Sequence, residues 1–125
     1  HLRLDLPLVF LDVETTSLSP GAARVVEVAA LKLWPDDARP QMFRTRVDPG
    51  EPIPPAAAAV HGITDADVRG KRPVAAVARP LAGFLRGCDL AGFHLAHSYL
   101  QVLAAESARD GVPSPLAGRA VIGAY

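Results

Sequence analysis

Residues 8–18 read LVFLDVETTSL, an apolar run that takes on two carboxylates and then two threonines. Residues 8 to 13 carry β-branched and aromatic side chains on both faces, the mark of a strand buried in the middle of a sheet. On a strand, residues two apart point the same way and lie about 7 Å apart at the backbone. Asp12 and Glu14 therefore face one point in space. An uncompensated ion inside a protein costs several kcal/mol, and two like charges raise each other's pKa unless a cation stands between them. Oxygen-only ligands at the end of a central strand suit Mg2+ or Mn2+, which bind through a few carboxylates, water and substrate phosphate. In such a site one ion activates water while a second stabilises the departing oxygen. The D-x-E spacing alone equally describes a strand end at which two acids meet solvent.

Working outward, Ser19, Pro20 and Gly21 make a turn. Residues 24–34, RVVEVAALKLW, form an extended and mostly apolar stretch that Pro35 and DDARP end. Residues 42–48, MFRTRVD, alternate, with Phe43, Thr45 and Val47 on one face and Arg44 and Arg46 on the other. Three strands on short loops suggest an antiparallel meander. DPGEPIPP, from Asp48, is too rich in proline for ladder or helix. Pro55 then opens a short helix, AAAAV, and Gly62 closes it in a left-handed conformation. Thr64 caps a second turn with Asp67 three residues on. Pro73 starts a longer helix through Val74, Val77, Leu81, Phe84 and Leu85, which Pro80 is expected to kink or delay. Residues 88–93 read as a fourth strand. Leu95, Tyr99, Val102 and Leu103 give a following helix its apolar stripe, Gly111 and Pro113 end it, and residues 119–125 form a last strand. The order predicts an α/β fold whose last two strands run parallel to the first.

The 125 residues, half of them apolar, suffice for one domain over 1–125. Thirteen basic and thirteen acidic side chains leave no net charge, so a polyanion partner has to be held locally. Cys88 is the single cysteine and forms no internal disulfide, which suits a reducing compartment. No segment is long and apolar enough to span a bilayer, and Asp5 and Pro7 interrupt the start where a signal peptide needs an apolar core. A cytoplasmic protein is expected. The chain starts at His1 and stops in an apolar run, RAVIGAY, which suggests a fragment.

FLDVETTSLSP, RVVEVAAL, VDPGEPIPP and VHGITDADV, in that order, resemble the DnaQ-like (DEDD) family of 3'-5' exonucleases, from about residue 8 to residue 105. The resemblance implies a ribonuclease H-like mixed five-stranded sheet flanked by helices, lacking the family's final helices. It also implies metal-dependent hydrolysis at the 3' end of a DNA or RNA single strand, as in proofreading, with a DNA polymerase subunit as a possible partner. Asp12 and Glu14 look like the first two metal-binding carboxylates, for Mg2+ or Mn2+. Thr15, Thr16 and Leu18 look like the loop holding the terminal nucleotide, and His61, Gly62 and Ile63 match a segment near it. On their residues alone, Thr15 and Thr16 also suit a turn that satisfies backbone groups, Ile63 the core, His61 a helix cap, and Glu27 an ordinary edge-facing polar position.

The pattern G-[HYF]-N-x-x-F-D that supplies the family's third carboxylate reads Gly92-Phe93-His94-Leu95-Ala96-His97-Ser98 here. His94 stands for asparagine and Ser98 for the metal-binding aspartate, a weaker ligand for a hard dication. The chain ends before any H-x(4)-D helix, so turnover by it is expected to be absent or residual. His94 and His97, three apart, with Asp12 are a candidate transition-metal site. Two classes of function stand at this level: the exonuclease, and a degenerate exonuclease-fold module for nucleic-acid or protein binding. Arg44, Arg46, Arg69, Lys71 and Arg72 are candidate phosphate contacts, though such charges are commonly solvated faces.

Overall fold

The computed structural model of the chain describes residues 6–17, 23–93 and 121–124. In chain order it has β1 (Leu8–Thr15), β2 (Val25–Trp34), β3 (Asp37–Arg46), α1 (Pro55–His61), α2 (Asp65–Val68), α3 (Val74–Leu85), β4 (Asp89–Phe93) and β5 (Val121–Ala124). The five strands form one sheet in the order β3-β2-β1-β4-β5. β1 with β2 and β2 with β3 are antiparallel, the expected meander. β4 runs parallel to β1 and β5 parallel to β4. The α/β mixed sheet read from the sequence is the fold observed. The helix expected from Leu95, and with it His94, His97 and Ser98, lies outside the described residues, as does Leu18.

Three boundaries differ from the sequence reading, each for a physical reason. β1 continues to Thr15 because the acids and threonines are still laddered to β2, Glu14 opposite Glu27 and Thr15 opposite Val25. β3 begins at Asp37, opposite Trp34, so Asp37, Ala38, Arg39 and Pro40 extend a strand that composition assigned to a turn. β3 is at the sheet edge, where a proline's missing N–H faces solvent and breaks no ladder. Pro80 lies inside α3, which runs unbroken from Val74 to Leu85. A proline leaves the carbonyl four residues earlier without its donor; Ala76 and Pro80 are both exposed, so water meets that carbonyl.

One face of the sheet is sealed by α3. Val9, Val13, Val25, Val28 and Ala30 pack there against Val74, Val77, Leu81 and Leu85, each large side chain contributing about 1.5–3 kcal/mol on full burial. Strict alternation would put Val25 and Val28 on opposite faces. A register shift between Glu14 and Thr15 returns Val25 to the core side, and bulges of this kind commonly stand beside functional sites. Val26 is freed to join a second cluster with Ile53, Ile63 and Val68, which anchors α1 and α2 over the end of the sheet. Among the described residues no helix is long and apolar enough to cross a membrane.

Candidate active site

The two-residue period of β1 carries through to its last turn of ladder. Asp12, opposite Ala29, and Glu14, opposite Glu27, share the face that α3 does not cover. The β1–β4 ladder is recorded only from Leu8 to Phe10, so both acids lie past it, toward the carboxyl end of β1. Asp12 is exposed and Glu14 half-buried. Among the described residues no arginine or lysine forms a salt bridge with either. The Glu14 carboxyl is accordingly pushed above its ordinary value, first by loss of water and then by repulsion from Asp12, with Glu27 adding and His61 opposing.

Glu27 is not the edge-facing polar residue that the sequence suggested. β2 is an interior strand. The Glu27 side chain, 12% exposed, is gripped by Arg44 Nε at 3.3 Å and Arg46 Nε at 3.6 Å. Arg46 sits directly opposite it on β3 and reaches Asp67 at 3.6 Å as well. Glu14, Glu27 and Arg46 thus form one cross-strand row, acid, acid and base.

The candidate nucleotide-binding residues separate once placed. Thr15 Oγ1 donates to the Ser17 carbonyl at 2.7 Å. Thr16 closes the β1–β2 loop on Arg24, its hydroxyl accepting the Arg24 N–H at 2.9 Å while its own N–H donates to the Arg24 carbonyl at 2.8 Å. Both hydroxyls therefore have backbone partners, the turn role open to them from sequence, and both residues also line the cleft described below. His61 does not cap α1 through its last carbonyls. Its Nδ1 accepts the Ile63 N–H at 3.1 Å and its Nε2 lies 3.1 Å from the Thr15 carbonyl. Because a backbone N–H can only donate, Nδ1 is the bare nitrogen and Nε2 carries the proton given to Thr15. The ring ties the end of α1 to the end of β1. Ile63, 2% exposed, belongs to the second core cluster and not to the cleft wall.

These pieces enclose a cleft of about 500 Å3 with Glu14, Thr15, Thr16 and Ser17 on the strand side and Pro54, Ala56, Ala57, Val60 and His61 of α1 and its approach on the other, while Asp12 is not among its lining residues. The size is that of a small-ligand site. Val60, 85% exposed at the rim, was not singled out from sequence. Its signal was present: Ala56, Ala57, Val60 and His61 fall on one helical face, and small side chains keep that wall low.

The donor set fits a hard dication in part. Two same-facing carboxylates with no arginine or lysine salt bridge among the described residues suit Mg2+ or Mn2+, with water and phosphate completing the shell. Among the described residues no group of three or more His, Cys, Asp or Glu converges on one point, so Glu27, held by its arginines, adds no third ligand.

Comparison with known proteins bears on the family and the fold. The chain is 40% identical over 87 residues to a Rhodobacter capsulatus protein named DNA polymerase III subunit epsilon-like, covering 68% of this chain and 12% of that protein. It is 35% identical over 82 residues to a DNA polymerase III PolC-type of Streptococcus agalactiae, covering 66% of this chain and 6% of that one. The chain thus spans a small part of the length of these relatives. A product-bound structure of exonuclease I superposes with a TM-score of 0.75 over 95% of this chain and 30% of that one, at 19% identity. A structure of Escherichia coli exonuclease I with a 5cy-dT13 oligonucleotide also gives 0.75, over 95% of this chain and 28% of that one, at 19% identity. At that identity the likeness speaks for the fold. The exonuclease family model matches residues 9–109, and the chain belongs to the DnaQ-like exonuclease family.

Proposed function

We propose that the chain is a 3'-5' exonuclease domain that hydrolyses the terminal phosphodiester of single-stranded DNA, with Asp12 and Glu14 as the ligands of Mg2+ or Mn2+. The carrying observation is the pair itself: two carboxylates on one face of β1, without an arginine or lysine salt-bridge partner among the described residues, the second of them, Glu14, lining a cleft, in a chain of this family. When bound, the metal supplies an activated water and stabilisation of the departing oxygen. The chain's own residues define where that happens. Thr15 and Thr16 hold the loop at the end of β1, the His61 bridge fixes the far wall, and Val60 offers an exposed apolar surface to a base or sugar. Ser17, in the cleft lining, and Leu18, which follows it in sequence, are proposed to contact the terminal nucleotide, while Ile63 is proposed to act only by holding His61 in place through the core. The names of the relatives support DNA as substrate and a replicative polymerase as the setting.

A second reading, a binding module without turnover, draws on the lack of a third converging acid among the described residues and on Ser98 at the family's third carboxylate position. One assay separates the two. A single strand with a 5' label is incubated with Mn2+ and its shortening from the 3' end followed. The exonuclease reading expects stepwise shortening, lost by about a thousandfold in Asp12→Ala, equivalent to about 4 kcal/mol of transition-state stabilisation. A strand bound but left intact by the wild-type chain at every metal concentration favours the module.

A further inference from the structure

The cross-strand row at Glu14 leads away from the cleft to a second concavity with different chemistry. Arg44, Thr45, Arg46, Asp67, Arg69 and Lys71 are among the residues that line a groove of about 580 Å3 between β3 and α2. Arg72 stands at its side, its guanidinium donating to the Thr45 hydroxyl at 3.5 Å. Five cations meet here with two acids, Glu27 and Asp67. The chain is neutral as a whole, so this is positive charge gathered at one place.

Glu27 and Asp67 orient the arginines without using them up. Arg44 contacts Glu27 through Nε and its side chain stays 64% exposed; Arg46, between Glu27 and Asp67, stays 39% exposed. Arg69 and Lys71 are exposed and have no carboxylate partner among the described residues. Arg44, held at Nε alone, presents its remaining N–H groups as a fork suited to phosphate, and Arg46, held at Nε and Nη1, keeps its Nη2 donors. Position adds to chemistry. Arg46 is opposite Glu27, which is opposite Glu14, and Arg44 is opposite Ala29, which is opposite Asp12. Two strand spacings, roughly 10 Å, separate the arginines from the acid pair on the same face of the sheet.

We propose that this β3–α2 groove holds the phosphodiester backbone of single-stranded DNA upstream of the nucleotide in the acid-lined cleft. It rests on the exonuclease reading for the identity of the ligand, and it assigns Arg69, Lys71 and Arg44 to affinity for a strand as distinct from affinity for its end. Contacts of this kind position a strand without reading its sequence, and they make binding steeply salt-dependent.

The test compares a labelled dT15 strand with thymidine 5'-monophosphate, each measured by equilibrium binding in Ca2+ across a series of salt concentrations. In Arg69→Ala/Lys71→Ala, dT15 affinity is expected to fall tenfold or more, and the log–log salt dependence to become shallower by about 1.4, from about 0.7 for each lost single-strand phosphate contact. Monophosphate affinity stays within twofold. Charge reversal, Arg69→Glu/Lys71→Glu, deepens the dT15 loss alone. Unchanged dT15 affinity and slope beside intact monophosphate binding overturns the groove and leaves the cleft standing. Binding of neither probe by the wild-type chain overturns both. Melting curves confirm the fold of each variant.

Discussion

Glu14 is one of the two proposed metal ligands, and its environment works against its charge. Its carboxyl is raised above the ordinary 4.5, foremost by lost water and then by Asp12. An acid raised in the folded state binds more protons there than in the unfolded chain, so stability falls as pH climbs from the ordinary value through the raised one and stays lower above it. Metal-free Glu14→Gln is therefore expected to melt above the wild type at pH 7, with the gap closing as pH drops below the ordinary carboxylate range. Calorimetry checks this; a variant that melts lower at pH 7 refutes it. The same cause gives wild-type Mn2+ affinity a fall that begins at a pH above that of an unperturbed glutamate. His61 carries a separate prediction. Its ring satisfies the N–H of buried Ile63, so His61→Ala orphans a donor and is expected to cost about 1–3 kcal/mol in chemical denaturation.

α1 contributes a wall to the cleft and has no fully buried residue; Ala57 and Ala58 pack only partly against the second cluster, so the ends of the helix also bear on its position. Pro55 starts it, and Gly62 closes it at φ 75°, its N–H donating to the Ala58 carbonyl at 2.7 Å. A side chain in that left-handed conformation costs about 1–2 kcal/mol. Gly62→Ala is expected to lose about that much stability and to weaken monophosphate binding, because His61 is the preceding residue; unchanged values in both would show that the cap is not what holds the wall. Elements of this kind were readable from local signals: the glycine stop, the Thr64–Asp67 pair, whose carboxylate accepts the Thr64 N–H at 2.9 Å and its hydroxyl at 3.0 Å, and the period that put Asp12 and Glu14 together. What escaped depended on neighbours distant in sequence. Pro40 enters a strand only because β3 is an edge, Val25 shares a face with Val28 only through a bulge, and Glu27 reads as a lone polar residue until Arg44 and Arg46 are laid beside it. The exposure of Val60 belongs to the same class, since helical spacing shows a face but not what it faces.

At the scale of the molecule, the site is built across two units of unequal strength. The sheet and α3 share a large core in which Val77 and Leu81 are 1% exposed and Leu85 is fully buried. α1 and α2 rest on the small cluster of Val26, Ile53, Ile63 and Val68 and on a few hydrogen bonds: the Ile53 N–H to Asp65 Oδ1 at 2.8 Å and the His61 bridge to Thr15. Local opening follows the thinnest packing. Native-state hydrogen exchange is expected to show α1 and α2 amides opening at lower free energy than those of α3, β1 and β2. Leu81→Ala, costing about 2–5 kcal/mol, lowers protection everywhere, because it weakens the fold as a whole. Ile63→Ala lowers it most in α1 and α2. On the proposed reading, Mn2+ with thymidine monophosphate would bridge Glu14 on the strand side to Val60 and His61 on the helix side, so it is expected to raise protection in α1 selectively. Equal protection across α1 and α3, or a ligand effect spread evenly over the sheet, would mean that the wall and the acids move as one rigid piece and that the cleft does not close on its nucleotide by settling α1.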